Sequence, residues 1–264
     1  MNIKFTSELA TLPRLYIDVE RQMIFATSVA LNKTAGLVRD ALVSSMTTTF
    51  DRPTPYTLKA LRVRPARKES LTAYVDFKDA TGKGVSADRY LGPQVYGGGR
   101  SKKRSERALE RSGMSASQYM MPGAGADMDS YGNVSRGQVV RVLSYLQAFG
   151  EQGYRANATA RSMARTAKVG RSKEGFKKIG GVQYFISRGK GTSSGNREQH
   201  LRAGVWSKTG THGVDVKPIF VFTEAPAYVP LLEFYETADE MFGESFDAEY
   251  ATALDAAINT ARKA

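Results

Sequence analysis

Residues 201–223 form the stretch LRAGVWSKTGTHGVDVKPIFVFT, which has the clearest strand pattern of the chain. Leu201–Lys208 and Val214–Thr223 are two runs rich in β-branched, aromatic and other apolar residues. Between them, Gly210–Gly213 favours a tight connection, because glycine accepts the backbone angles that turns need. This stretch therefore predicts two consecutive strands of an antiparallel sheet.

Three earlier segments also have strand character. Val182–Ile186 (VQYFI) precedes a flexible connection at Gly189–Gly195. Leu58–Arg64 and Leu71–Lys78 alternate in the way that half-buried strands do. The segment Pro65–Ser70 suits a hairpin connection, so we expect these two strands to pair antiparallel.

Long helical patterns lie towards both ends of the chain. Leu12–Met46 places its apolar residues three, four or seven apart on one stripe, after a capping Thr11. Asp51–Pro55 breaks this helix, because each proline disfavours helical geometry in the residue before it. From about Pro230 to Lys263 a second apolar stripe predicts a closing helix.

The middle of the chain has a less regular pattern. Gly92-Pro93 and Gly97–Gly99 interrupt it, the glycine run allowing an unusual turn, and Met120–Gly125 is typical of a loop. Ser101–Ser112 predicts a short basic helix. Ser135–Phe149 has the spacing of a helix with one buried face.

Together these elements predict an α+β fold. We expect an antiparallel, curved sheet of about five strands, flanked by long N- and C-terminal helices, with an irregular helical and loop insertion. Residues 1–264 are expected to form a single domain. Within it, residues 80–180 would be an inserted helical and basic loop region, a subdomain rather than an independent domain.

The composition excludes several classes of chemistry. The 264 residues include no cysteine and two histidines, His200 and His212. Disulfides, zinc–thiolate sites, iron–sulfur clusters and thiol nucleophiles are therefore ruled out, and a histidine-rich metal site is not expected. No apolar run approaches the about 18 residues of a membrane span, and we expect no signal peptide at the N-terminus.

Motifs for catalysis or for cofactors are not expected either. Gly97–Lys102 and Gly189–Thr192 lack the spacing of a phosphate-binding loop, and no Gly-x-Ser-x-Gly elbow occurs. The acidic loop that starts at Asp127 has Gln138 where a calcium loop needs a glutamate. We therefore predict no enzyme activity, no catalytic residues, no metal site and no cofactor.

Charge is distributed unevenly over the chain, which carries a net charge of +12. From Glu224 to Ala264 nine acidic residues accompany two basic ones, a net charge of −7, so residues 1–223 carry +19. Residues 100–111 contain six bases and two acids. Such polarity suits contacts with partners of opposite charge, or with the next copy of the chain. A solvated surface is the simple alternative.

The strongest concentration of positive charge lies in residues 150–180. Within it, residues 155–178 contain eight bases and a single acid, Glu174. The low hydrophobicity and the abundance of Gly, Ser, Lys and Arg predict an arm or mobile loop that orders on a partner. These bases could also neutralise nucleic-acid phosphates, with Tyr154, Phe176 and Tyr184 as stacking residues. No zinc finger, RNA-binding strand motif or helix-turn-helix accompanies them, so such binding would not depend on sequence.

Four segments of the chain have sequence patterns that resemble those of a known protein family. They are Ala30–Ala35 (ALNKTA), Phe50–Thr57 (FDRPTPYT), Arg89–Gly98 (RYLGPQVYGG) and Asp129–Gln138 (DSYGNVSRGQ). These segments resemble the minor tail protein Z family of tailed bacteriophages, the lambda-type tail completion proteins. The resemblance covers roughly residues 15–150.

The resemblance implies a structural virion protein of a long-tailed bacteriophage, a minor tail protein that takes part in tail completion, head–tail joining and virion assembly. It implies a homo-oligomeric ring in the neck, around the DNA channel, and a hexamer would match the tail symmetry. The implied location is the virion tail and neck, after synthesis in the host bacterial cytoplasm. Related neck and terminator proteins have a curved antiparallel sheet flanked by helices, as predicted above.

The implied partners are further copies of the chain, the tail terminator or tail tube protein, and the head connector or adaptor protein. Contact with genomic DNA would be transient and non-specific, and no membrane is involved. The alternative function is a sequence-independent nucleic-acid-binding or processing protein. The basic stretches motivate this alternative. In the ring interpretation, the candidate site residues are basic residues at an assembly interface or in the DNA channel. These candidates are Arg52, Arg100, Lys102, Lys103, Arg104, Arg161, Arg165, Lys168 and Arg171.

Overall fold

The computed structural model describes residues 1–6, 17–79, 85–150, 157–171, 173, 175, 177–189 and 201–261. Within these residues it has seven helices and two antiparallel sheets, of three and five strands, which confirms the α+β class with a five-stranded sheet. The chain forms two compact units. Unit 1 comprises Met1–Gly98 and Tyr228–Ala264, and unit 2 comprises Gly99–Ala227. Unit 2 thus includes the three late strands as well as most of the segment expected as an insertion.

Two long helices form one layer of unit 1. Helix α1 spans Ile17–Thr49 and helix α7 spans Phe234–Ala261, close to the ranges predicted from their apolar stripes. The two helices pack against each other. On α1 the small residues Ala26, Ala30 and Thr34, four apart, are completely buried. Side chains of this size let neighbouring helices approach closely.

The second layer of unit 1 is a three-stranded sheet in the order β1–β3–β2. Strands β2 (Leu61–Arg64) and β3 (Thr72–Phe77) form the expected antiparallel hairpin. Strand β1 (Asn2–Thr6), which has no counterpart in the predicted elements, pairs with the other edge of β3. Successive residues of each strand point to opposite faces, so the sheet has one face towards the helices and one away from them.

The core of unit 1 lies between the sheet and the helices. Rings of Phe77 on β3 and Phe234 at the start of α7 stack with their centroids 5.5 Å apart. Full burial of an aliphatic or aromatic side chain contributes about 1.5–3 kcal/mol. The buried residues include Ile3, Leu61, Ala73, Val75 and Phe77 from the sheet and Leu31, Val38, Leu42, Met46, Phe234 and Ala238 from the helices.

Polar side chains of α1 connect it to its neighbours. The Asn32 side chain donates a hydrogen bond to the Ala66 carbonyl (3.1 Å) and accepts one from the Ala66 N–H (2.6 Å). Lys33 forms an ion pair of 3.1 Å with Glu249 of α7. The segment 30–35 therefore holds the hairpin, α1 and α7 together.

A short helix, α2 (Pro55–Leu58), follows the break after α1. The side chain of Thr54 caps it by accepting a hydrogen bond from the Thr57 N–H. Leu58, predicted as the start of the first strand, instead ends this helix, so that part of the strand prediction is wrong. The cause is local: a capping threonine followed by a proline starts a helical turn.

Helix α3 (Ala87–Tyr96) lies where Gly92 and Pro93 predicted irregular structure, and that prediction is wrong. Pro93 lies inside the helix and removes one backbone hydrogen bond, a local loss that the helix tolerates. Ala87 and Leu91 are buried on its inner side.

Glycines form the point at which the chain leaves unit 1. Gly97 and Gly98 have φ angles of 74° and 83°, as the glycine run predicts. A Cβ atom on Gly97 would lie 3.0 Å from Pro230 Cδ and 3.1 Å from the Tyr228 carbonyl oxygen. Gly98 and Tyr228 exchange two backbone hydrogen bonds, of 2.9 and 2.8 Å. The outgoing and returning chain segments are therefore paired.

Unit 2 is built on a five-stranded antiparallel sheet in the order β4–β8–β7–β6–β5. Its strands are β4 (Tyr119–Pro122), β5 (Val169–Arg171), β6 (Lys177–Ser187), β7 (Gly204–Thr211) and β8 (Asp215–Thr223). The last three correspond to the predicted late strands. The prediction of a loop at Met120–Gly125 is wrong where β4 lies. Met120 pairs with Phe222 of β8, and both side chains are buried.

Helices α4 (Arg104–Glu110) and α5 (Arg136–Tyr145) correspond to the two helices predicted for this part of the chain. Their apolar residues join the sheet in the core of unit 2. The buried residues include Leu109, Met114, Met120, Val142, Leu143, Tyr184, Val205, Ile219, Phe220 and Phe222.

Helix α6 (Ala160–Ala167) and β5 occupy the segment expected as an arm without regular structure. That expectation is wrong for residues 160–171 and 177–180. The physical reason is that α6 buries its Ala167 and packs on β6, so a segment of low overall hydrophobicity still gains tertiary contacts.

Several sequence predictions fall outside the described residues. They include the cap at Thr11, most of the connection at Gly189–Gly195, His200, Tyr154 and Phe176. None of the helices in the described ranges combines the length and the apolar character that crossing a membrane requires.

Candidate functional site

Four of the nine predicted site residues lie on α6 and the chain that follows it. Arg161 and Arg165 are one turn apart on α6, and Lys168 and Arg171 come directly after. All four residues are exposed. Among the ion pairs of the described residues, none involves any of the four. We call this group the α6–β5 basic segment.

The backbone holds the α6–β5 basic segment in place. Thr159 caps α6 by accepting a hydrogen bond of 3.2 Å from the Ser162 N–H. Lys168 ends the helix in the left-handed conformation, with φ 42°. A Cβ atom on Gly181 of β6 would collide with the carbonyl oxygen of Thr166, so α6 approaches the sheet where only glycine fits. The four cations therefore project from a fixed support.

The Arg100 side chain, by contrast, forms its contacts within unit 2. Its guanidinium donates two hydrogen bonds, of 2.9 and 2.5 Å, to the completely buried Glu106 carboxylate and lies 4.8 Å from the centre of the Tyr119 ring. Glu106 also accepts hydrogen bonds from the backbone N–H groups of Met120 (3.0 Å) and Lys103 (2.6 Å). Burial alone would raise the pKa of Glu106, but these hydrogen bonds outweigh burial and lower it below its usual range.

Three neighbouring candidates differ in exposure. The Lys102 ammonium binds the Glu110 carboxylate and the Ala116 carbonyl, and its side chain is 15% exposed. Lys103 and Arg104 are exposed at the start of α4. Of the basic run at 100–111, Arg100 and Lys102 thus bind within unit 2, while Lys103 and Arg104 lie at the surface.

Arg52 lies in unit 1, whereas the other eight candidates lie in unit 2. It has a φ of 48° in the turn after α1, and its guanidinium bonds the carboxylate of the adjacent Asp51 at 2.9 Å. This hydrogen bond lowers the pKa of the exposed Asp51. The structure therefore places Arg52 in a surface turn.

Of the three aromatic residues proposed for base stacking, the structure describes Tyr184, and it does not lie at the surface beside the basic segment. Tyr184 is 7% exposed and belongs to the core of unit 2, where its ring meets that of Tyr145 edge-on at 5.4 Å. That part of the nucleic-acid interpretation is wrong. Tyr154 and Phe176 lie outside the described residues.

Helix α7 presents a stripe of carboxylates that was not among the predicted site residues. Glu236, Glu240 and Glu244 are four residues apart, Asp247 follows three residues later, and all four are exposed. Helical geometry puts such positions on one side. Ala238, on the opposite side of the helix, is completely buried. The four-residue spacing of the glutamates is the sequence signal that identifies this acidic stripe.

A second polar surface missed from the sequence is the outer face of the unit 1 sheet. Asp76, 7% exposed, accepts from both Arg62 and Arg64 at 2.7 Å. The guanidinium of Arg64 lies 4.3 Å from the centre of the Tyr74 ring, and Lys4 is opposite Tyr74 on β1. This face is basic, but its central carboxylate neutralises part of the charge.

A cavity of about 310 Å³ lies beside α2 and is lined by Pro55, Tyr56, Lys59, Ala60, Lys78, Asp79 and Ala87. It contains one carboxylate, two amines and a phenol, and the Lys78 ammonium donates to the Lys59 carbonyl at 2.7 Å. These groups do not form a nucleophile–base pair.

One carboxylate of the loop before α5, that of Asp129, binds the backbone. Asp129 accepts hydrogen bonds from the N–H groups of Tyr131 (2.9 Å) and Asn133 (2.8 Å). Within the described ranges, no group of three or more acidic or histidine residues is placed to hold a metal ion. The loop at Asp127 is therefore a hydrogen-bonded turn of the Asx kind.

Comparison of the chain with family models, with curated proteins and with solved structures finds no match. The candidate site is thus defined by its own geometry: an exposed basic segment on unit 2 and an exposed acidic stripe on unit 1.

Proposed function

We propose that the protein is a structural virion component of a long-tailed bacteriophage. It completes the head-proximal end of the tail and joins it to the head connector, as a homo-oligomeric ring around the DNA channel. Its partners there are neighbouring copies, the tail terminator or tail tube protein, and the head connector or adaptor protein. Its contact with genomic DNA is transient and non-specific.

The observation that carries this proposal is the separation of exposed charge. The α6–β5 basic segment presents four cations, and the acidic stripe of α7 presents four carboxylates. Charged surfaces of opposite sign steer association and select partners. A protein that stacks in a ring between other rings needs several such surfaces, whereas a small-molecule enzyme needs groups that converge on one cavity.

The segments that resemble the minor tail protein Z family support the same proposal, because their residues join structural elements. Asn32 binds the hairpin at Ala66. The hydroxyls of Thr57 and Tyr90 are 3.0 Å apart and connect α2 with α3. Gln138, 4% exposed, accepts from the Asp127 N–H at 2.8 Å. Such contacts stabilise an architecture, as a structural virion protein requires.

Sequence-independent nucleic-acid binding is the second candidate function. The exposed α6–β5 basic segment favours it, since four cations on one fixed support would neutralise several phosphates. The burial of Tyr184 counts against a stacking platform for single strands. Ring assembly gives a role to both the basic and the acidic surface, whereas nucleic-acid binding gives a role to the basic surface alone.

In vitro head–tail joining tests the proposal. Heads and tails from phage that lack this protein should stay separate, and added protein should restore joined, infectious particles. The variant with Arg161, Arg165, Lys168 and Arg171 changed to Gln should impair joining more than it alters tail length. Labelled protein should appear at the neck of intact virions. Its absence from virions, with nanomolar DNA binding at physiological salt, would favour the second candidate.

A further inference from the structure

We propose that neighbouring copies of the chain dock through the two charged surfaces. The α6–β5 basic segment of one copy lies against the acidic stripe (Glu236, Glu240, Glu244 and Asp247) of α7 in the next. This inference deepens the proposed function, and the closure of such contacts into a ring rests on that function.

The acidic stripe needs charge of the opposite sign from outside the helix. Like charges four residues apart destabilise a helix, and Glu236, Glu240 and Glu244 form two such pairs. No Lys or Arg occurs between Glu224 and Ala261 to relieve them. Among the described ion pairs, the α7 carboxylate that has a partner is Glu249, on Lys33. A surface that repels itself in the free chain is stabilised when cations cover it.

The α6–β5 basic segment supplies the complementary charge and spacing. Arg161 and Arg165 are four residues apart, as are Glu240 and Glu244, so each pair spans about 6 Å of helix. Arginine guanidinium groups bind carboxylates through two parallel hydrogen bonds, which gives such pairs a defined geometry. Lys168 and Arg171 extend the positive charge beyond the end of α6.

A second copy fits these surfaces better than a nucleic acid does. Every copy carries both surfaces, so each additional molecule satisfies one acidic and one basic surface at once. A phosphate backbone would satisfy the basic segment and repel the acidic stripe. Because the two surfaces differ, the contact is heterologous, and repetition of a heterologous contact produces a ring when the rotation closes.

Charge reversal tests the contact in the full-length protein. One variant combines Arg161→Glu with Arg165→Glu, and another combines Glu240→Lys with Glu244→Lys. A matched control combines Arg67→Glu with Arg89→Glu, two exposed arginines of unit 1 that give the same charge change as the first variant. Association is measured by sedimentation velocity and mass photometry over a range of protein and salt concentrations, starting from about 50 mM salt, where screening is weak.

We expect the wild type and the control to associate in a salt-sensitive way. Each reversed variant alone should associate about a hundredfold more weakly. The two changes bring the net charge of that surface to zero, and the reversed pair then faces a pair of the same sign on the next copy. Mixing the two reversed variants in equal amounts should restore association, in alternating copies, and so should combining all four changes in one chain.

Failure of this rescue, with both variants folded by circular dichroism, would overturn the inference. A wild type that stays monomeric at low salt would overturn it as well, and so would loss of binding to a duplex DNA probe without loss of self-association. If the reversed variants lose self-association in solution but still join heads to tails, the contact stands and its role in the ring is wrong. If they associate normally, the docking is wrong, while head–tail joining by wild type still supports the proposed function.

Discussion

The side-chain amide of Asn32 pairs with the backbone of Ala66 as one peptide group pairs with another. Nδ2 donates to the Ala66 carbonyl at 3.1 Å, and Oδ1 accepts from the Ala66 N–H at 2.6 Å. Ala66 is 6% exposed, so solvent cannot replace either bond freely. A single residue of α1 thus fixes the connection between β2 and β3.

Asn32→Ala should lower the free energy of unfolding by about 1–3 kcal/mol, because it leaves two backbone groups of a buried residue without partners. Equilibrium unfolding in urea measures the change. Lys33→Ala is the matched control: its ion pair with Glu249 is half exposed, and such pairs contribute about 0–1 kcal/mol. Equal losses from the two substitutions would contradict this role of Asn32.

Glu106→Gln should destabilise the protein by about 3–5 kcal/mol, because it leaves the Arg100 guanidinium in a largely buried site without its counter-charge. Asp51→Asn is the control. Its ion pair with Arg52 is exposed, and exposed ion pairs contribute about 0–1 kcal/mol to stability. Urea unfolding at neutral pH compares the two, and a control as destabilised as Glu106→Gln would contradict the assignment.

The same carboxylate should make stability depend on pH. The pKa of Glu106 is lower in the folded than in the unfolded protein, so the unfolded chain binds the proton first as pH falls. Its contribution is therefore complete above a pH of about 4.3, the usual glutamate pKa, and disappears as pH falls through the lower folded-state value. The Glu106→Gln variant should lose less stability than the wild type over that acidic window.

Gly181→Ala should loosen α6, because the added methyl group would collide with the Thr166 carbonyl. Gly170→Ala on β5 is the control, since a Cβ there meets no atom within 4 Å. Hydrogen exchange of α6, and trypsin cleavage after Arg161 and Arg165, should rise in the first variant alone. Unchanged exchange in Gly181→Ala would show that α6 does not depend on this close approach.

Phe246→Asp should give insoluble or unfolded protein. The Phe246 ring stacks on Phe242 with centroids 5.0 Å apart and packs against the core of unit 1. Truncating a core aromatic costs about 3–5 kcal/mol, and a charge placed there adds a desolvation penalty. Ala248→Asp, on the exposed side of α7, should leave the melting temperature nearly unchanged. A soluble Phe246→Asp variant with an unchanged melting temperature would show that α7 docks only on a partner.

The elements predicted well from the sequence are those with long periodic patterns, such as α1, α7 and the hairpin of β2 and β3. Strand β1 was missed because five residues hold too few alternations, and its pairing with β3 joins distant parts of the chain. Helix α6 was missed because a helix held by one buried residue, Ala167, has little hydrophobic signal. Local propensity does not contain such tertiary contacts.

The candidate site could likewise be predicted only where it does not depend on tertiary contacts. Exposure of Arg161 and Arg165 agrees with their polar surroundings in the sequence. Burial of the Arg100–Glu106 pair depends on the approach of Met120 from β4, a strand that was not predicted. The pairing of Asp76 with Arg62 and Arg64 depends on strand register, which the alternation of either strand alone does not determine.

The affinity of the protein for DNA distinguishes a protein that lines a DNA channel from one that functions by binding DNA. DNA that passes through a tail must slide, so we expect the free protein to bind duplex DNA weakly, with a Kd of about 10⁻⁴–10⁻⁶ M at physiological salt. The variant with Gln in place of Arg161, Arg165, Lys168 and Arg171 should reduce the salt slope by at most about 0.9 per lost phosphate contact.

A salt titration of binding to duplex DNA, beside the head–tail joining assay, measures both roles of the α6–β5 basic segment. Under the proposed function, the four cations of the α6–β5 basic segment bind acidic protein surfaces in the ring. The Gln variant should therefore lose joining, while its Kd for DNA, which is already weak, should change little. Replacing the exposed Arg67 and Arg89 with Gln removes charge elsewhere and should leave joining intact. Nanomolar DNA binding by the wild type, with normal joining by the Gln variant, would reverse the assignment. The basic segment would then serve DNA, and the acidic stripe would need a partner other than the next copy of the chain.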